Sequence, residues 1–185
     1  MIVAADFFTI EAWTHKGLTR FLVLFLIDLS SRKVEIAGVA RQTNGLWMSQ
    51  LARNLSDVTD GFLVGKRHLI HDRDPLYTAE FLETLETGGV KSVKLPPRAP
   101  NLNTHAERFV RTIKESCLER MILFEEGSLR KALHEFVDHY HRARSHQGLG
   151  NRLIVEDNSG AGSIGAIRCR QRLGGMLNYY YREAA

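Results

Sequence analysis

Met1-Ile2-Val3-Ala4-Ala5-Asp6-Phe7-Phe8-Thr9-Ile10 and, after a short break, Phe21-Leu22-Val23-Leu24-Phe25-Leu26-Ile27 decide the fold. Ile2 to Ile10 is rich in β-branched and aromatic residues and reads as a strand. Phe21 to Ile27 is apolar throughout, as a strand covered on both faces must be. Asp28-Leu29-Ser30-Ser31-Arg32 is a turn, and Lys33 to Ala40 a third strand, which together predict an antiparallel meander. One residue does not belong in that pattern. Asp6 puts a charge inside the first apolar strand, where it costs free energy unless something pairs with it.

The elements that follow supply helices for both sides of a sheet. Thr43 or Asn44 can cap a helix running to about Asp57, with Leu46, Trp47, Leu51 and Leu55 at helical spacing. Arg67 to Ile70 is a short strand. Thr78 caps a helix with Phe81, Leu82 and Leu85 inward, Gly88-Gly89 stops it, and Val90 to Leu95 is a fifth strand. Pro96-Pro97-Arg98-Ala99-Pro100 is a loop, because proline fits neither helix interior nor central strand. A helix from Thr104 to about Met121 puts Ala106, Phe109, Val110, Ile113 and Cys117 on one side and Glu107, Arg111 and Lys114 on another. A last helix spans Leu129 to His141. The expected order β-β-β-α-β-α-β-α-α makes an α/β domain over residues 1–150, a mixed five-stranded sheet with helices on both faces. Residues 151–165, with Asp157-Asn158-Ser159-Gly160-Ala161-Gly162, read as a flexible linker. Residues 166–185 read as a basic, aromatic hairpin outside the main core, turning at Gly174-Gly175.

Composition narrows the classes. A chain of 185 residues, 44% hydrophobic and 25% charged, can bury a core of ordinary size. Net charge +4 and a pI near 9.2 favour a polyanionic partner. Two cysteines make neither a disulfide scaffold nor a cysteine zinc site and suit a reducing, cytoplasmic setting. The apolar run Phe21 to Ile27 is too short for a bilayer, and the N-terminus lacks a signal-peptide pattern, so no membrane role is expected.

Asp72, ending His68-Leu69-Ile70-His71-Asp72, and Glu107, early in a helix, join Asp6 as acids in awkward places. Brought together they repel one another and favour a divalent cation with hard oxygen ligands. Plainer readings exist for each. An acid at a strand end is commonly solvated, Glu107 can pair with Arg111 four residues on, and Asp74 rivals Asp72 as second ligand. Asp28 reads as a turn acid bonding the Ser30 or Ser31 amides. His68, His71 and His105 fit no zinc spacing, and His146 is read as a structural cap ahead of a chemical role.

The order of these elements and acids resembles the catalytic core of DDE-type transposases and retroviral-type integrases, which have a ribonuclease-H-like fold. Asp6-Phe7-Phe8-Thr9 matches the first-strand Asp motif, and Ile27-Asp28-Leu29-Ser30-Ser31-Arg32 the turn after the second strand. Asp72-Arg73-Asp74-Pro75-Leu76-Tyr77 stands where the family shows Asp-Asn-Gly-x-x-Phe. Asn103-Thr104-His105-Ala106-Glu107 matches the Glu helix of bacterial insertion-sequence transposases, and Arg144-Ser145-His146-Gln147-Gly148-Leu149 their trailing segment.

The resemblance implies DNA transposition or integration by metal-dependent strand transfer. Asp6, Asp72 and Glu107 then act as catalytic residues holding two Mg²⁺ (or Mn²⁺) ions, Asp6 shared and the others holding one each. Arg108, Arg111 and Lys114 then grip the DNA backbone, without reading its sequence. Two alternatives keep the fold: a ribonuclease-H-like nuclease that cuts without joining, and an inactive DNA-binding remnant. The family also implies a homo-oligomer, since two DNA ends must be joined. Asp6 follows closely on Met1, with no helix-turn-helix ahead of it. The expectation is a core whose targeting region lies elsewhere: a truncated element, or half of a split one with a separate helix-turn-helix subunit as partner.

Overall fold

The computed structural model describes residues 1–97, 103–155 and 165–183. Strands β1 (Ile2–Thr14), β2 (Gly17–Asp28) and β3 (Val34–Ala40) form the antiparallel meander, and β4 (His68–His71) and β5 (Lys91–Lys94) add to it in parallel. The sheet order is β3-β2-β1-β4-β5. Helices α1 (Gly45–Leu55) and α2 (Ala79–Thr87) cover one face, α3 (Thr104–Ser116) and α4 (Glu125–Arg142) the other.

Alternation along the strands builds two cores. Ala4, Phe8 and Ala12 of β1, with Val23, Phe25 and Ile27 of β2, meet α3 and α4. Val3 and Ala5, with Leu24 and Leu26, meet α1 and α2. Successive strand residues point to opposite faces, so a run of apolar residues on β2 is required to serve both. On the α3 side the Phe25 and Phe109 ring centroids are 4.9 Å apart, and Phe109 packs edge-on against Tyr140 at 5.3 Å. Each such buried ring contributes roughly 2–3 kcal/mol by removal from water. Together they fix the height and rotation of α3 on the sheet. On the other side Gly38 of β3 lets α1 approach: a Cβ there would stand 2.8 Å from the Trp47 ring.

The caps at Asn44 and Thr78 form as expected, each side chain accepting an amide in its helix's first turn. Asp28 is the expected turn acid, accepting the Ser30 amide at 2.7 Å and the Ser31 amide at 3.2 Å. It also forms a buried ion pair with Lys66, a partner 38 residues away that no local pattern predicts. Burial raises the Asp28 carboxyl, but Lys66 and the Ser30 and Ser31 donors outweigh it and hold the group well below the ordinary carboxylate range.

Several boundaries differ from the sequence expectation. β1 and β2 run past Ile10 and begin before Phe21, because the arms pair with each other through Thr14↔Gly17. Gly17 takes φ +95° at that turn. α3 ends at Ser116, a 3₁₀ turn at Leu118–Arg120 follows it, and α4 starts at Glu125, not Leu129. The C-terminal hairpin, β6 (Ile167–Arg172) and β7 (Leu177–Arg182), turns through four residues, 173 to 176, not through a two-glycine turn. Leu173, Gly174 and Gly175 all have positive φ. Nor does the hairpin stand apart from the core. Leu177 is 5% exposed and joins the α3–α4 side, and Arg172 binds Glu135 at 2.7 Å and also Asp138, both on α4. The beginning of the expected linker is also tied down, with the Val155 amide on the His141 carbonyl at 3.0 Å. Asp157 to Gly162, like Arg98 to Pro100, lie outside the described residues.

Candidate active site

Asp6 lies on β1 between Ala4 and Phe8 and so shares the face that α3 covers. The parallel register of β1 and β4 pairs Ala4 with Ile70; two residues beyond, on each chain, stand Asp6 and Asp72. Glu107 is in the first turn of α3, two residues before Phe109, whose ring anchors the helix to β2. Strand register and aromatic packing thus bring acids remote in sequence to one end of the sheet.

Electrostatics records the convergence. Burial pushes the Asp6 carboxyl up to about 6, and the charges of Asp72, Glu107 and Asp74 push the same way, against the Phe7 amide that donates to its Oδ1 at 2.8 Å. Among the described residues no cationic side chain figures among the causes that set the Asp6 carboxyl. Among the described residues neither Glu107 nor Asp72 forms an ion pair, so the expected alternative of a Glu107–Arg111 pair is not formed. The unmet demand is for positive charge near oxygen ligands.

A hard divalent cation suits this donor set: all carboxylate, and exposed at Asp72 and Glu107. Among the described residues no three His, Cys, Asp or Glu side chains form a group close enough to hold a metal ion. Mg²⁺ does not require three such ligands, since it keeps several waters and binds through one or two carboxylates plus substrate phosphate. A cavity of about 710 Å³ lies elsewhere, around Asp28, Lys66 and Asp57. An acid group on open surface suits a long polymer better than an enclosed small molecule.

Both candidate second ligands shape the loop after β4 with their carboxylates. Asp72 Oδ1 accepts the Asp74 amide at 3.1 Å, and Asp74 Oδ1 accepts the Leu76 amide at 2.8 Å. Asp74 is thus a turn-forming acid that also adds to the local negative charge. Of the expected DNA-binding residues, Arg108 and Arg111 are exposed, and Lys114 reaches over the Phe8 ring, 6.0 Å from its centroid.

Two residues that the sequence did not single out for the site border these acids. His71 is fully buried, with Nδ1 on the Asp72 carbonyl and Nε2 on Ser92 Oγ, both at 2.7 Å. Because a carbonyl only accepts, Nδ1 carries the proton, and burial keeps the ring neutral. With both nitrogens engaged, His71 is not a zinc ligand. Tyr77 packs on His71 at 4.2 Å, and its buried hydroxyl has no hydrogen-bond partner among the described residues. Burial, with the charges of Asp6, Asp72 and Asp74, holds that phenol well above its usual range. The signal was present in the sequence: Tyr77 stands where the resembled family shows Phe.

Residues 88–153 match the family described as the integrase core domain. No curated protein matches the chain. Among solved structures, the HTLV-2 integrase catalytic core domain in complex with magnesium is 13% identical, with a TM-score of 0.59 over 83% of this chain and 92% of that one. The catalytic core domain of BIV integrase is 18% identical, with a TM-score of 0.54 over 83% and 90%. A simian T-cell lymphotropic virus intasome in complex with the PP2A regulatory subunit B56 gamma is 14% identical, with a TM-score of 0.54 over 98% of this chain and 66% of that one. No described helix is long and apolar enough to cross a membrane. With its ribonuclease-H-like sheet and the match over 88–153, the chain has the architecture of an integrase or transposase catalytic core.

Proposed function

We propose that the chain is the catalytic core of a DNA strand transferase, acting in transposition or integration, with Asp6, Asp72 and Glu107 as its metal ligands. The observation that carries this reading is the crowding of acids around half-buried Asp6 with no cation among the described residues to balance them. Asp6 fits the shared, central ligand, since the repulsion of Asp72, Glu107 and Asp74 falls on it. Asp72 and Glu107 reach from a loop and a helix on either side. A pair of Mg²⁺ ions held by Asp6, Asp72 and Glu107 would supply activation of the attacking water or 3′-hydroxyl and stabilisation of the leaving oxygen. The protein's own part is to aim the carboxylates from β1, the β4 loop and α3, and to hold the phosphodiester against them.

Arg108, Arg111 and Lys114 serve that second task, on the same helix as Glu107. Contacts of this kind position DNA without reading its sequence and weaken steeply with salt. A homo-oligomer fits the joining of two ends, and the HTLV-2 core has been described in dimeric and trimeric forms.

The test is an assay on labelled duplex DNA with Mg²⁺ or Mn²⁺ that scores cutting and joining separately. Metal-dependent joined products from the wild-type chain, absent from Glu107→Gln, support the reading. Cutting without joining replaces it with a nuclease, and full activity in Glu107→Gln removes the metal assignment.

A further inference from the structure

Helix α3 carries a third stripe that faces neither the core nor the acids. Ala106, Phe109 and Ile113 face the sheet, while Glu107, Arg111 and Lys114 follow the side where Lys114 meets Phe8. His105, Arg108 and Thr112 line a separate cleft of about 230 Å³. Its other walls come from the two sequence motifs left without a role: Arg32 from the turn after β2, and Arg144 and His146 from the segment after α4. Tyr140 forms its floor, 8% exposed.

The cleft is one-signed. Three arginines line it and no carboxylate does. Among the described residues Arg32, Arg108 and Arg144 form no ion pair. Arg32 donates to the Leu29 carbonyl, and Arg144 stands over the Tyr140 ring at 6.0 Å, so two of the three are oriented by the fold. The charges of Arg144, Arg32 and Arg108 all act on the Tyr140 hydroxyl, opposing the rise that burial imposes, which places them around one point. His146 Nε2 donates to the Tyr140 carbonyl at 2.9 Å, so this backbone acceptor at the end of α4 is engaged rather than turned on an incoming anion. Like charges gathered without counter-charge are unfavourable unless an anion joins them, and planar guanidinium forks match phosphate oxygens.

We propose that this cleft is a second phosphodiester-binding site, taking a backbone phosphate of DNA on the flank of α3 away from Lys114. It rests on the strand-transferase reading for the choice of DNA as the source of the phosphate. A duplex lying across α3 then meets Glu107, Arg111 and Lys114 on one side and Arg32, Arg108 and Arg144 on the other. Such a two-sided grip fixes the angle of the duplex over the acids, which a single row of cations leaves free.

Duplex binding by fluorescence anisotropy in EDTA isolates the cleft from metal. Arg144→Gln and Arg32→Gln are each expected to weaken binding about tenfold at low salt and to lower the slope of log K against log [salt] by about 0.9. Arg53→Gln, at an exposed arginine of α1 on the opposite face of the sheet, serves as the reference and is expected to bind as wild type. Wild-type affinity and slope in both arginine variants, with unchanged thermal unfolding, overturn the proposal. A parallel NMR titration with inorganic phosphate reads the His146 ring. Shifts with phosphate in the wild type, but no effect of either variant on duplex binding, mean a small phosphate ligand and overturn the DNA assignment. Failure of the acid-site reading looks different: strand transfer persists in Asp72→Asn while the cleft variants still lose DNA.

Discussion

The carboxylate of Asp72 accepts the backbone amide of Asp74 at 3.1 Å, so both acids help to shape the loop after β4. Asp74 turns its own carboxylate onto the Leu76 amide. Asparagine at either position keeps the accepting oxygen and removes only the charge. Asp72→Asn is expected to lower strand transfer at least about a hundredfold, equivalent to about 2.7 kcal/mol of barrier. Asp74→Asn is expected to stay within about threefold of wild type, the range left by a small change in local field. Initial rates with Mg²⁺ decide it, and the reverse ranking makes Asp74 the ligand.

Tyr77 carries a buried hydroxyl with no partner among the described residues, beneath the same acids. Leaving a buried polar group unsatisfied costs about 1–3 kcal/mol, whereas removing it along with its demand does not. Tyr77→Phe keeps the ring contacts with Phe7, His71 and Phe81 and is expected to stabilise the fold by about 1 kcal/mol. Urea unfolding measures the change. A loss of stability of that size would show that the hydroxyl has a partner in solution.

Behind the site, His141 Nε2 accepts the Val34 amide at 2.9 Å and locks α4 to β3. That bond needs a neutral ring, and burial first, then the Lys33 charge, pushes the imidazole down to about 4. Because the folded-state pKa is depressed below the unfolded value, the stabilisation is complete above about pH 6.5 and is lost as pH falls from there toward 4. The loss is expected to be roughly 2 kcal/mol after allowance for solvent screening. Urea titrations at pH 7.5 and pH 5 should show it, and His141→Gln, whose amide oxygen can accept the same N–H, should flatten it. An equal slope in that variant assigns the acid sensitivity to other groups.

The sheet was legible because each of its strands carries a pattern set by what covers it: continuous apolar residues on β2, and an interrupting Asp6 on β1. The acids were legible for the same reason, since each departs from its local pattern. What escaped the sequence were contacts between distant residues. Nothing local to Arg172 says that it will meet Glu135 and Asp138, so the hairpin was read as separate. Lys66 gives no sign that it will enter the Asp28 turn. Arg32, Arg108 and Arg144 stand more than thirty residues apart along the chain, and only the packing of α3 against β2 and α4 makes a cleft of them. Hairpin length was misjudged because Leu173 adopts a positive φ that sequence propensity assigns to glycine.

The central claim is that the acids around Asp6 form a divalent-cation site. Mn²⁺ binding near pH 7.5, followed by electron paramagnetic resonance as loss of the free-ion signal, tests it without requiring turnover. The account predicts saturable binding to the wild-type chain, displaced by excess Mg²⁺, and its loss in Asp6→Asn, which removes the ligand on which the Asp72, Glu107 and Asp74 charges converge. Equal Mn²⁺ binding by wild type and Asp6→Asn, or none by a folded wild-type chain with duplex DNA present, would contradict it.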